Sequence, residues 1–583
     1  MSGSTHIFSI LANKLGAMNG WQPQDAEKLA SIVKMISVIG FQAGDEGKGG
    51  ISAELAHREK ACGNHVYICS GSGGANAGHT FYHNGYKYNT NILPASFMGG
   101  ELTFMGSNKL YNLNSFKKEV TRICSQNGDV PALLTQSELA EKLIIDNQGK
   151  ITFIPALLEE RINECVKRSS HGGSVGTTGQ GISTTIAQYD VKCPIEIVTA
   201  LNAYKDNKMQ DYLENYYKIC DLEAIHHRYC QLLEAGRISD TLIDSVMFER
   251  DYNAFVKTII THDMQNLNWF CSLFQNSIKN HKYFNHFVLQ LVKNDTPSTI
   301  ILEGVQANSL AAVNGPLNST TSSELNPDVL MYTSFAFCDF TSFAMAGGKV
   351  ENINVIKLIQ STVGNHYNPA KIVDYADLLK FEYTNSNDPD GNVAKLLSQY
   401  PQFGKYAKLA CLTMESSKCT PSFLLKDGVL DESTLLSHYL GEKGTTTGRV
   451  RELSWPDFIR MCSCSFNQVC PKIALARLDA YNMFTKFRVC YGYKINGTTY
   501  LYHSSDEKDC FVFTSYKDFT DEEMHSAEPL YKEFDSWAGT VDLTQCKSMT
   551  DFPKEAQDYI KTLANEFGDV VAVNLSASST LLL

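Results

Sequence analysis

An acidic pair sits inside a glycine-rich run, Gly40-Phe41-Gln42-Ala43-Gly44-Asp45-Glu46-Gly47-Lys48-Gly49-Gly50. Glycines let backbone N–H groups approach phosphate oxygens, and a helix that follows offers its positive end to the same anion. Lys48 adds a point charge for the phosphates. The run departs from the standard phosphate loop, because Gln42 stands where the first glycine belongs and Gly49 replaces the Ser or Thr that meets magnesium. Asp45 would repel a phosphate unless a cation intervenes or the carboxylate has a chemical task. A glycine turn with solvated charges uses the same residue types, so this run alone leaves both readings open. A second run, Gly73-Gly74-Ala75-Asn76-Ala77-Gly78-His79-Thr80, sets an Asn and a His among glycines, two polar tips where backbone comes close to a ligand.

Each run needs a strand to present it. Met35-Ile36-Ser37-Val38-Ile39-Gly40 is a short apolar strand feeding the first, and Val66-Tyr67-Ile68-Cys69 feeds the glycine-rich turn Gly71–Gly78. Thr299-Ile300-Ile301-Leu302 reads as a third strand ending at Glu303-Gly304, which puts polar chemistry at a strand's C-terminal end, where open α/β sheets bind ligands. Asn202–Lys293 shows helical spacing, as in Leu213, Tyr216, Tyr217 and Cys220, and reads as a helical subdomain or insertion. A second polar stretch, Asn365–Ser437, contains the cluster Asn385–Gly391, a loop by its turn chemistry. Residues 1–34 read as an N-terminal extension. The pattern predicts an α/β fold, a large central mixed and mainly parallel sheet flanked by helices.

With 583 residues, 43% hydrophobic and 20% charged, the chain can bury a large core without disulfide or metal staples. A net charge of −12 argues against nucleic acid or a membrane surface as partner, since both need clustered Lys and Arg. Apolar runs are strand-length, short of the ~20 residues a membrane helix needs. The 17 scattered cysteines read as reduced thiols, and with no signal-peptide order at the N-terminus the expected compartment is the cytoplasm. Cys462, Cys464 and Cys470 offer three thiols at irregular spacing and no fourth ligand, so ordinary thiols are preferred to zinc. His226 and His227 diverge on a helix and read as a surface pair.

Together the GDEGKG run and the segment Asn76-Ala77-Gly78-His79-Thr80 resemble the adenylosuccinate synthetase family. The resemblance continues in order. Gly176-Thr177-Thr178-Gly179 is similar to the loop for the IMP phosphate, Glu303-Gly304-Val305-Gln306 to the EGAQ segment, and Thr321-Ser322-Ser323 to the TSS segment. Gly444-Thr445-Thr446-Thr447-Gly448-Arg449-Val450-Arg451 resembles the aspartate loop, and Leu478-Asp479 the KLD guanine element.

What the resemblance implies is a GTP-dependent ligase that joins L-aspartate to IMP, with a P-loop-like GTP site and Mg²⁺ as cofactor. Asp45 would take the N1 proton of IMP and, with the carbonyl of Gly78, ligate the metal. His79 would act as the acid, with Lys48 on the phosphates. Gly44, Asp45, Glu46, Gly47, Lys48, Gly49, Gly78, His79, Thr80, Arg477, Asp479 and Ser576 would hold GTP. Asp45, Lys48, Asn76, Ala77, Gly78, His79, Thr178, Lys192, Gln306, Thr321 and Arg449 would hold IMP. Val363, Thr446, Thr447, Arg449 and Arg451 would hold aspartate, whose carboxylates suit guanidinium forks. A homodimer is implied, with Lys192 reaching the neighbouring subunit's IMP. One domain over 35–583 is implied too, with insertions around 202–293 and 365–437.

Four positions depart from the family pattern: Gln180 for an Arg, Lys192 for an Arg, Ala75 for a His and Arg477 for a Lys. A relative acting on another purine nucleotide, or a nucleotide-binding module without ligase activity, therefore stays open beside the ligase.

Overall fold

The first strand spans Val33–Gly40 (β1), and every residue in it but Lys34 is buried. Burial on both faces is what a central parallel strand requires, since helices cover each side. Numbered in chain order, the other strands of the main sheet are His65–Gly73 (β2), Leu102–Asn112 (β3), Leu143–Asp146 (β4), Lys150–Thr152 (β5), Ile278–Lys279 (β6), Ser298–Ala307 (β7), Lys349–Lys357 (β8), Pro471–Ala476 (β9), Val570–Ser576 (β10) and Ser579–Leu582 (β11). They lie in the order β6-β4-β3-β2-β7-β1-β8-β9-β10-β11, with β5 paired to β3. All these pairs are parallel except the final hairpin of β10 with β11, so the sheet is mixed and mainly parallel, as the pattern of strands and helices predicts. This computed structural model describes residues 23–583 apart from 169–176, 240, 244–245, 312–319, 336–338, 363–367, 375–377, 379–387, 427, 445–447, 449, 464–470, 503–509, 514, 516–517, 538–541 and 577–578.

Alternation along the strands divides the core. Met35, Tyr67 and Ile300 turn to one face, against the helices Pro23–Ile32 and His281–Lys293. Ile36, Ile68 and Ile301 turn to the other, against the helix Lys48–Ala61. Register then lines up the C-terminal ends. Val38 pairs with Glu303, Gly40 with Val355 and Lys357 with Ala476, so the loops after β1, β7, β8 and β9 leave one edge of the sheet. The site is built there.

Several sequence readings change in three dimensions. Residues 1–22 of the N-terminal extension lie outside the described residues, but the helix Pro23–Ile32 runs straight into β1 and buries Leu29 in the core. The stretch 202–293 is helical, as its spacing predicts, in Met209–Ile219, Leu222–Glu234, Tyr252–Phe274 and His281–Lys293. Leu213, Tyr216 and Tyr217 are buried in one cluster with Phe116 and Phe153, so these helices share a core with the sheet's edge. His226 and His227 are not a surface pair. His226 is buried, stacked on Phe248 with Nε2 2.9 Å from the Glu249 carbonyl, and only His227 is exposed. Within the cluster read as a loop, 385–387 lie outside the described residues. Asp388 caps a helix, Pro389–Gln399, by accepting the Gly391 N–H at 3.0 Å. Asp before Pro is a helix-start signal as much as a turn signal.

A second sheet of four strands, Lys486–Ile495, Thr498–Leu501, Cys510–Val512 and Glu528–Asp535, is not hydrogen-bonded to the first but shares a core with β9 and β10, and was not expected from the sequence. Cys464 and Cys470 are outside the described residues, and among those described no group of three ligating side chains forms a metal cluster. The described cysteines are free thiols, and no described helix is long and apolar enough to cross a membrane.

Candidate active site

The glycine-rich run joins β1 to the helix Lys48–Ala61, the arrangement its sequence calls for. Glu46 is the surprise within it. Its side chain is fully buried beneath the loop, where Oε1 accepts the Gly44 N–H at 2.7 Å and Oε2 accepts from Lys48 Nζ at 2.7 Å. The second acid of the pair therefore shapes the loop, and only its backbone remains to face a phosphate. Gly40 makes room for it, since a Cβ there would sit 2.3 Å from Glu46 Oε2. An ammonium has three donors, so the bond to Glu46 leaves Lys48 two for phosphate oxygens. Gln42, the residue in place of the first glycine, is also buried. Its amide accepts the Lys357 N–H at 2.8 Å and donates to the Lys357 carbonyl at 3.0 Å, which clamps the loop to the end of β8. Gly49 brings the hairpin of the second run close, because a Cβ there would lie 3.3 Å from the Thr80 carbonyl and 2.5 Å from Ala95 Cβ.

The strand read as ending at Glu303-Gly304 runs on to Ala307, and from inside β7 Glu303 reaches under the second run. Its carboxylate accepts the N–H groups of Ala95 (2.8 Å) and Ser96 (2.9 Å) and the Ser96 hydroxyl (2.7 Å), and His79 Nδ1 lies 3.1 Å from Oε1. Burial works against the charge, but His79 and the donors of Ser96 and Ala95 outweigh it and hold the carboxyl down at about 2. With Nδ1 fixed on a carboxylate, His79 Nε2 is buried and has no partner among the described residues. This arrangement leaves one ring nitrogen aimed for a ligand. Asn76 braces the same turn by accepting the Gly74 N–H at 3.2 Å, and Asn91 donates to the Ala77 carbonyl at 2.7 Å.

Asp45 has a positive φ of 56°, and its Oδ2 accepts from Arg451 Nε at 2.6 Å. Carboxylate and guanidinium lie 406 residues apart in the chain. Farther along the edge, Arg477 (φ 62°) donates from Nε to Asp479 Oδ1 at 3.0 Å and from Nη1 to Glu442 Oε1 at 2.8 Å. Burial disfavours the Arg477 charge, and the carboxylates of Asp479 and Glu442 more than offset that. Ser576 ends β10, and two residues earlier Asn574 lies 3.4 Å from the Arg477 N–H, so the C-terminal strand borders the Arg477–Asp479 corner.

The model of the adenylosuccinate synthetase family matches residues 37–579, nearly the whole chain. The chain belongs to the adenylosuccinate synthetase family. Adenylosuccinate synthetase from Kineococcus radiotolerans is 23% identical over 91% of this chain and 93% of its own length, and that from Listeria innocua 21% over 92% and 95%. The solved structure of fully ligated adenylosuccinate synthetase from Plasmodium falciparum has the same fold at a TM-score of 0.60 and 18% identity, covering 94% of this chain and 99% of that one. Membership makes the chain a nucleotide-binding enzyme of purine biosynthesis, a GTP-dependent ligase of the AMP branch.

Against the family pattern, the departures find local explanations. Gln180 accepts from Asn112 Nδ2 and Ser115 Oγ, both at 3.0 Å, so it braces the helix Leu113–Cys124. The neighbouring Thr177, Thr178 and Gly179 line a cavity of about 390 Å³ with Arg161 and Arg237, two guanidiniums that the motifs gave no reason to single out. Thr177 Oγ1 donates to the buried Glu160 at 2.8 Å, which seats the loop. Lys192 is exposed just past the helix Ile182–Asp190, with φ 69°, and no hydrogen bond or ion pair ties its side chain to another described residue. Ala75 is buried in the core cluster. Gln306 has φ 56° and sets its carbonyl beside Gly40, while Thr321 donates its N–H to the Leu310 carbonyl at 2.8 Å. Gly176, Val363, Thr445, Thr446, Thr447 and Arg449 lie outside the described residues. Sequence reasoning placed Glu303 in the EGAQ-like segment without a task. The signal that was available is a carboxylate within a mainly apolar, buried strand.

Proposed function

We propose that this site joins L-aspartate to C6 of IMP with GTP as phosphoryl donor, forming adenylosuccinate, GDP and phosphate through a 6-phosphoryl-IMP intermediate. The observation that carries the reading is the 2.6 Å contact of Asp45 with Arg451, because it sets a base in the phosphate loop against a cation of the amino-acid loop. Asp45 takes the N1 proton of IMP, and the electron pair passes to O6, a poor nucleophile until then. O6 attacks the γ-phosphorus, the bond to the β,γ-bridging oxygen breaks, and GDP leaves. His79, held at Nδ1 by Glu303, turns Nε2 toward the phosphoryl oxygens and with Lys48 offsets their charge. The aspartate amine then attacks C6, the C6–O6 bond breaks, the amine loses a proton, and phosphate departs with O6.

Arg451, with Arg449, Thr446, Thr447 and Val363 by family resemblance, receives the aspartate carboxylates. Asn76, Ala77, Gly78, Thr178, Gln306 and Thr321 hold IMP on the same ground. Lys192 serves the IMP phosphate of a second copy of the chain, and its exposure fits that use. Asp479 accepts the N1–H and 2-amino group of guanine, with Arg477 and Ser576 beside it. Asp45 and the Gly78 carbonyl suit Mg²⁺, for both are oxygen donors, the Asp45 side chain is 30% exposed, and Gly78 is exposed. Mg²⁺ takes few protein ligands and shares phosphate oxygens, and when bound it neutralises phosphate charge. The segments 202–293 and 365–437 are read as insertions into one domain over 35–583, and the free thiols fit the cytoplasm.

Phosphate release with each substrate omitted in turn tests the reading. Release that needs GTP, IMP and aspartate together supports it. Binding of GTP without turnover would make the chain a nucleotide-binding module, and turnover with another purine monophosphate in place of IMP would change the acceptor.

A further inference from the structure

Glu442 is a buried carboxylate at the root of the amino-acid loop, and three parts of the site converge on it. Its Oε2 accepts from Lys357 Nζ at 2.5 Å, and its Oε1 accepts from Arg477 Nη1 at 2.8 Å. Its backbone carbonyl accepts the Ser437 hydroxyl at 2.8 Å and the Arg451 N–H at 3.1 Å. Three of these four contacts lead on into the site. Arg477 holds Asp479 at 3.0 Å, the reader of the donor base. The backbone of Lys357 is gripped from both sides by Gln42 of the phosphate loop. Arg451 carries the guanidinium that meets Asp45.

The charges make the arrangement cooperative. Lys357 and Arg477 stand against Glu442 and Asp479, and a buried carboxylate left without one of its cations is costly. The planar fork of Arg477 spans both carboxylates at once. When Asp479 turns its oxygens to a guanine edge, Arg477 needs a second anion to keep its place, and Glu442 is that anion. Conversely, any movement of the amino-acid loop that shifts Glu442 moves Arg477, and with it the presentation of Asp479.

We propose that Glu442 is a positioning residue that couples guanine reading to the amino-acid loop, so that donor nucleotide and aspartate each strengthen binding of the other. The inference rests on the ligand assignments of the proposed function. Its test uses binding without turnover, so the two can fail separately. The affinity for GDP is measured by titration calorimetry on the full chain in the presence of IMP, with and without saturating aspartate. In the unmodified protein aspartate should tighten GDP binding roughly 5- to 50-fold, the usual size of coupling between sites. Glu442→Gln keeps the volume and the backbone contacts but cannot balance two cations, and the effect should fall below about 2-fold. Arg477→Lys keeps the charge but loses the fork, and should show the same loss, which covers the case of a Glu442 variant that does not fold. No tightening in the unmodified protein, or tightening retained in either folded variant, would overturn the proposal. Absent phosphate release with all three substrates would instead overturn the ligase reading.

Discussion

Replacing Glu303 by Gln tests the pair at the centre of the site. The carboxylate accepts three hydrogen bonds from Ala95 and Ser96 and meets His79 Nδ1 at 3.1 Å, with no exposure to water. Its carboxyl is held at about 2 against an ordinary 4.5. At 1.36 kcal/mol per unit this corresponds to about 3 kcal/mol of stability at neutral pH. Gln keeps one acceptor but turns the other oxygen into a donor facing a donor, a further cost of about 1–2 kcal/mol. The expected loss is about 4 kcal/mol. With 583 residues at about 2.1 cal/mol/K each, the unfolding entropy is about 1.2 kcal/mol/K, so the melting temperature should drop by roughly 3 °C. The folded carboxyl lies below the unfolded one, so its contribution is complete above pH 4.5 and fades as pH falls toward 2. The gap between the two proteins should therefore narrow below pH 4.5. Turnover should fall on the order of 10²–10⁴-fold, because a ring without its anionic partner at Nδ1 is no longer held with Nε2 toward the ligand. Paired melting curves at pH 7 and pH 4 and phosphate-release rates at pH 7 make the measurement. A variant with unchanged rate, or a gap as wide at pH 4 as at pH 7, would refute the reasoning.

Other outcomes follow from single residues. Asp479→Asn exchanges an acceptor for a donor, so activity with GTP should fall and activity with XTP rise relative to it, and an unchanged preference order in steady-state rates would retire Asp479 as the base reader. Lys192→Ala should raise the KM for IMP far more than that for GTP, and equal effects would remove Lys192 from the acceptor site. Lys109 is fully buried, donating to Ser70 Oγ and the Ser72 carbonyl, and burial drops its ammonium to about 8 although Glu119 and Glu303 oppose the fall. The unfolded chain then binds more protons between pH 8 and 10.5, so this group makes stability rise with pH across that window. Denaturant titrations of Lys109→Met should show that rise missing relative to the unmodified protein, and parallel pH curves would contradict it.

Much of the candidate site was legible because its loops follow short apolar strands and are written in glycine, Asp45, Lys48, Asn76 and His79, all within 50 residues of β1. The sheet was legible for the same reason, since buried parallel strands such as Val33–Gly40 are apolar on both faces. What the sequence hid depends on contacts between distant segments. Nothing near Glu303 in the chain points to His79, 224 positions earlier, and only the alignment of β2 with β7 brings them together. Glu46 reads as a solvated loop acid until the fold puts it beneath Gly44 and Lys48. His226 looks polar in its own helix, and the rings that bury it, Phe248 and Phe255, arrive from the next segments. Lys109 sits in a strand whose neighbours give no sign that its ammonium will be enclosed.

The central claim is that O6 of IMP becomes a phosphoryl acceptor in a site where Asp45 is the base and His79 supports the group in transfer. IMP labelled with ¹⁸O at O6 tests it most directly, by mass analysis of the phosphate released with GTP and aspartate. The account expects one labelled oxygen in each phosphate released, at a rate that collapses in Asp45→Asn. Phosphate released with all its oxygens unlabelled, while adenylosuccinate still forms, would contradict it.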